Sequence, residues 1–328
     1  MLKAFRTNTP LQLAIITVTL LLLWVPSLID PVPMPRVDSF SPIYNLFYIW
    51  LGSLPRLATA IAMIVVTASA LYFNKLLVDA QIVSNSTLLP TLLYIIAMSM
   101  TPGRLTLTPL VIVSALMVVC TKLLLLKGTL LTIEPEKTFG ITALIGICTL
   151  IYMPAYSLLV SFLLIIVVYR LYNWRDWMMM ILGFLAPYIF YATYLYITDG
   201  LAEVWQQIMG YASNIGLRTG KVNTVTGITC GYMVILFVVA AFATLSIVNE
   251  RTVVIQKNVT AISLLMVSGA IMLCYTLLFP TDLQTMALPF ALQTTIFLQY
   301  MERGKRPWIW DIVLTLAIIA ATAYNYIT

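Results

Sequence analysis

The sequence predicts an all-α protein, a polytopic bundle of ten or eleven membrane-crossing helices with its N-terminus in the cytoplasm. Three observations carry this. The 328 residues are 61% hydrophobic, with a mean hydropathy of +0.99, whereas soluble domains run near half apolar and about a quarter charged. Eighteen basic and twelve acidic residues are too few to cover a chain of this length in water, so most of its solvent must be lipid. Long apolar runs also recur from one end of the chain to the other, separated by short polar breaks. No Pro-, Ser- or Gly-rich linker divides them, and residues 1–328 are expected to form a single transmembrane domain.

In order, the first span is Leu11–Ile29, preceded by Lys3 and Arg6. Its exit, PSLIDPVP, carries no small-x-small cleavage site, so it is read as an uncleaved anchor. Tyr44–Trp50 is short and aromatic, which suits a segment lying along the membrane interface. The later spans are Pro55–Val78, Thr87–Met100, Thr106–Leu126, Phe139–Tyr152, Tyr156–Tyr172, Trp177–Ile197, Val225–Val248, Ala261–Phe279, Leu283–Tyr300 and Trp308–Ile327. Several fall short of the ~20 residues that cross a hydrocarbon core, so some pairs are expected to be hairpins that do not fully cross.

With the N-terminus inside, most of the 18 basic residues sit in cytoplasmic loops, as the positive-inside rule requires. Five do not: Arg36, Arg56, Arg104, Arg218 and Lys221. Four of these are arginines, whose planar fork matches phosphate oxygens and stays charged at any accessible pH. Snorkelling to lipid headgroups explains such residues as well as substrate binding does. The outer loop 30–56 also holds Asp30 and Asp38. Asp38 follows the proline-stiffened PVPMPR, which fixes a carboxylate beside the membrane, where it could take a proton from a hydroxyl. An ordinary loop acid bonded to nearby backbone is the plainer alternative. Asp282 lies at the turn before a late span, where capping the next helix competes with any site role. Tyr188 and Tyr191 are placed towards the outer end of their span, as an interfacial aromatic belt or as a wall on which a sugar could stack. The loop 198–224 completes the expected outer lip.

Several chemistries are excluded. Histidine is absent, which removes imidazole acid–base catalysis and histidine metal sites. No Walker loop, GxGxxG, HExxH or CxxC occurs, so no metal or redox cofactor is expected. No basic stripe interleaved with aromatics points to nucleic acid. The four cysteines, Cys120, Cys148, Cys230 and Cys274, lie in apolar runs and read as buried thiols. Acids are missing from the middle of the spans, which weakens an ion-coupled transporter.

An inside N-terminus, a first span, an outer loop with Asp38 (or Asp30) and interfacial aromatics, many spans with short outer turns, and a late Phe279–Pro280 followed by ALPFALQ together resemble the GT-C class of integral-membrane glycosyltransferases. The chain is also similar in layout to small multispanning bacterial inner-membrane proteins. The resemblance covers the arrangement of most of the chain and no strict motif. It implies a polyprenyl-phosphate-linked sugar as donor substrate, with no other cofactor, and a protein or glycan acceptor at the periplasmic face. Asp38 would be the base and Arg36, Arg56, Arg104, Arg218 and Lys221 would hold the donor phosphate. Asp30, Tyr188, Tyr191 and Asp282 would contact sugar or acceptor. Two other classes stay open: a transporter or flippase of a lipid-linked substrate, and a non-catalytic subunit of an envelope complex with a protein partner.

Overall fold

The computed structural model describes residues 5, 9–36, 41–83, 87–99, 105–126, 133–170, 173–200, 238–275 and 286–302, together with residues 204, 206, 209, 235, 284 and 315. Every regular element among them is helical. The helices are α1 Thr9–Ile29, α2 Pro42–Leu51, α3 Pro55–Asp79, α4 Leu89–Ser99, α5 Pro109–Leu124 and α6 Pro135–Ile151. They continue through a 3-10 turn at Met153–Tyr156 into α7 Ser157–Tyr169, α8 Trp174–Ile197, α9 Val238–Val248, α10 Val253–Tyr275 and α11 Ala287–Glu302.

Prolines set many of the starts. Pro42, Pro55, Pro109 and Pro135 stand in the first turns of α2, α3, α5 and α6, where the missing N–H costs nothing and the fixed φ suits a helix. Thr108 caps α5, its hydroxyl accepting from the Val111 N–H at 3.3 Å. Inside the helices, threonines such as Thr19, Thr67 and Thr294 donate to carbonyls four residues back, which satisfies the hydroxyl within its own helix where water is absent.

Four described helices are long and apolar enough to cross a membrane: those at Pro10–Ile29, Pro55–Asp79, Trp174–Ile197 and Val253–Ile271. Others are too short for that. At 1.5 Å per residue, the 11 residues of α4 extend only about 16 Å, against a core of about 30 Å. All eleven of its side chains are buried, enclosed by α3, α11 and α1. A hydrocarbon core has no water for exposed backbone, so a short helix is tolerated there only where protein surrounds it.

Contacts sort the helix ends onto two faces. At one end of α1, the Gln12 Oε1 accepts from the Leu88 N–H at 2.9 Å, just ahead of α4. At the other end, the Ser27 hydroxyl accepts from the Leu105 N–H at 2.9 Å, beyond it. Helices α1 and α4 therefore run parallel, and fifteen residues of α1 measure about 22 Å between the two ties. Helices α6 and α8 are parallel too. A Cβ on Gly183 would overlap the Thr142 hydroxyl and come within 2.5 Å of the Phe139 carbonyl, and one on Gly146 would lie 2.8 Å from the Phe184 carbonyl. The Tyr188 hydroxyl meets the Thr149 hydroxyl at 2.7 Å further along. Two glycines thus let two backbones touch, the small-residue packing that lipid-embedded helices use in place of a hydrophobic drive.

At one face, the ends of α5 and α7 meet the start of α10 through Asn258. This fully buried amide accepts from the Leu126 N–H at 2.8 Å and donates to the Leu126 carbonyl at 3.0 Å. The Tyr169 hydroxyl donates to the Leu124 carbonyl at 3.0 Å. Lys75, Lys122, Arg170, Arg251 and Lys257 lie towards this face. At the opposite face are the end of α1 with Asp30, the loop to Arg36, α2, and the start of α3 with Arg56.

Candidate outer lip

The segment 31–36 leaves α1 without regular secondary structure, and one tyrosine holds it down. Tyr44 on α2 is fully buried, and its hydroxyl lies 3.0 Å from the Pro35 carbonyl and 3.2 Å from the Leu107 carbonyl. A single phenol therefore ties the loop after α1, the helix α2 and the chain entering α5. Burial pushes the Tyr44 pKa well above that of an ordinary phenol, with the nearby Tyr48 adding to it, so the proton it shares stays in place. Met34, within the same loop and 3% exposed, packs into the core.

One turn along α2 stands Tyr48. Its hydroxyl accepts from the Arg36 Nε at 3.1 Å, and the guanidinium carbon lies 5.6 Å from the centre of its ring. The hydrogen bond raises the Arg36 pKa further. Arg36 is exposed, with its Nε held by Tyr48. Arg56, also exposed, occupies the first turn of α3, which carries no acid. A cation there adds to the positive end of the helix dipole instead of offsetting it. The outward side of α2 is apolar: Leu46, Phe47, Ile49 and Trp50 are all exposed, the pattern of a helix lying at a lipid surface.

Beneath the lip, the buried Gln284 joins α4 to α5. Its Nε2 donates to the Met98 carbonyl at 3.0 Å, and its Oε1 accepts from the Thr108 hydroxyl at 3.2 Å. Thr106, in the segment 105–108 leading into α5, is buried with no hydroxyl partner among the described residues.

Of the residues expected from sequence, the structure places Arg36 and Arg56 on the face that carries Asp30. The Asp30 N–H donates to the Pro26 carbonyl at 3.1 Å, closing α1, and its side chain is exposed. Tyr188 spends its hydroxyl on Thr149 and its ring on Phe184, 5.3 Å between centroids; Tyr191 is partly exposed beyond it. Asp38, Arg104, Arg218, Lys221 and Asp282 lie outside the described residues. Sequence reasoning did not single out Tyr44 and Tyr48 as the residues that position the loop and Arg36. Their i, i+4 spacing, which puts both on one side of a helix, was the available signal. No family model, no curated protein and no solved structure matches this chain.

Proposed function

We propose that the chain is a GT-C-like glycosyltransferase of the bacterial inner membrane, moving a sugar from a polyprenyl phosphate to an acceptor hydroxyl at the face that carries Asp30. The charge distribution supports that sidedness. Described lysines and arginines gather on the Arg251 face, which the positive-inside rule assigns to the cytoplasm. The observation that carries the reading is Arg36, exposed and held through its Nε by Tyr48 of α2. Arg56 at the start of α3 adds a second cation on this face.

In this reading the donor's prenyl chain lies in the bilayer beside the apolar side of α2, and its phosphate meets the arginines. The acceptor oxygen attacks the anomeric carbon, and the bond from that carbon to the phosphate oxygen breaks with its electron pair. Polyprenyl phosphate leaves with negative charge that Arg36 and Arg56 stabilise. Asp38, two residues beyond Arg36, takes the acceptor's proton, a contribution of about 10²–10⁴-fold. Direct displacement inverts the anomeric centre. Purified protein supplied with a polyprenyl-phosphate hexose tests this: Asp38→Asn should abolish release of polyprenyl phosphate, and full retention of turnover would end the proposal.

A second reading, transport of a lipid-linked substrate, is favoured by one feature. The short buried helix α4 ends at a polar junction under the lip, built from the Met98 carbonyl, Gln284 and Thr108. Interrupted helices with polar ends mark binding sites in many transporters. Product analysis separates the two, because a transporter returns the lipid-linked sugar intact.

A further inference from the structure

On the Arg251 face, where α9 ends, α10 begins and α11 ends, the protein leaves a cleft of about 60 Å³. Ile82, Ile247 and Ile255 give it apolar walls, and Arg251, Gln299 and Tyr300 supply its polar groups. We propose that this cleft binds an anionic phospholipid, its phosphate on Arg251 with Gln299 and Tyr300 as further donors, and the start of its acyl chains against the three isoleucines.

Four observations carry this. The Arg251 side chain is exposed and has no partner among the described residues, leaving a planar fork open to phosphate oxygens. The backbone that presents it is fixed, because Gln256 Nε2 donates to the Asn249 carbonyl at 3.0 Å and to the Arg251 carbonyl at 2.9 Å. The first N–H groups of α10 follow two residues later, and their dipole reinforces the same positive potential. The cleft is also far smaller than the roughly 300–1,000 Å³ that encloses a whole small ligand. It suits one part of an amphiphile whose remainder stays in the bilayer, and apolar walls would give a free inorganic anion nothing. A lipid seated here would join the segment after α3 to α9, α10 and α11, so occupancy should stabilise the bundle.

The test uses the full-length protein in a neutral detergent, with thermal unfolding followed as phosphatidylglycerol or phosphatidylcholine of the same chains is added. Phosphatidylglycerol should raise the midpoint by several degrees and phosphatidylcholine should not. Arg251→Gln should lose the rise, whereas Arg170→Gln, which removes an exposed cation outside the cleft, should keep it. Gln299→Glu, which puts a carboxylate in the same cleft, should shrink the rise and serves where Arg251→Gln accumulates poorly. Equal responses to the two lipids, a full response in both cleft variants, or the same rise from inorganic phosphate alone would each overturn the assignment.

Discussion

Asn258 and Leu126 are joined twice, the side-chain amide of one closing on the backbone N–H and carbonyl of the other at 2.8 and 3.0 Å. The amide takes the place of a neighbouring peptide group just where α5 runs out of helical partners, a position that leaves carbonyls unsatisfied unless something caps them. Because Asn258 belongs to α10, the cap is also the joint that fixes α10 against α5.

Replacing Asn258 by Leu keeps the size and removes both bonds. Two buried backbone groups of Leu126 would then lack partners, at about 1–3 kcal/mol each. Unfolding in mixed detergent micelles should show a loss on the order of 2–6 kcal/mol. Tyr169→Phe, which gives up mainly the hydrogen bond to the Leu124 carbonyl, should lose only about 1 kcal/mol. Equal losses would mean that packing, not the amide, holds this joint.

The helices were readable as apolar runs, and the start of α3 at Pro55 falls where it was expected. The starts of α2, α5 and α6 fall at Pro42, Pro109 and Pro135, two to four residues from the expected Tyr44, Thr106 and Phe139, because a proline in the first turn fixes them; the aromatic stretch before Pro55 is helical, as expected. The ties that assemble the bundle were not readable. Gln12 meets Leu88 across 76 residues, Ser27 meets Leu105 across 78, and Gln284 meets Met98 across 186. No periodicity encodes such separations. Asn258 carried no signal in sequence, yet it is fully buried and spends its amide on Leu126. Of the lip, Arg36 and Arg56 were visible as cations on the cation-poor side. Their support by Tyr44, Tyr48 and a helix start needed the fold.

Gly183 and Gly146 set how closely α6 and α8 approach. Gly183→Ala places a methyl group against the Thr142 hydroxyl and the Phe139 carbonyl, and the second of these is backbone that cannot swing away. Overpacking of this kind costs about 1–3 kcal/mol. Thr142→Ala relieves one of the two contacts, so the double variant should recover part of the lost stability and not all of it. Full recovery would show that the Phe139 carbonyl does not limit the approach of the two helices.

Tyr44→Phe keeps the ring and removes the hydroxyl shared between Pro35 and Leu107. The expected loss is about 1–2 kcal/mol, along with faster amide hydrogen exchange over residues 31–36. Its pH dependence has a definite sign. Burial raises the Tyr44 pKa above the ordinary 10.0, so the stability difference between wild type and variant should be constant below about pH 10 and shrink above it. A difference that grows with alkalinity would contradict the buried, neutral phenol.

The two-faced arrangement makes the last prediction. Cysteines introduced at Arg36 and at Arg251 should react from opposite sides of a sealed membrane, because one residue lies beyond the end of α1 and the other between α9 and α10. Cys120 and Cys148 are buried and should stay silent towards a membrane-impermeant maleimide; Cys230 and Cys274 are replaced by Ser for the assay. In intact spheroplasts, the orientation proposed from the positive-inside rule has position 36 labelling at once and position 251 only after permeabilisation. The reverse order would turn the lip towards the cytoplasm and remove the periplasmic reaction. Labelling of both from one side would break the assignment of helix ends to two faces, which rests on the ties from Gln12, Ser27 and Asn258.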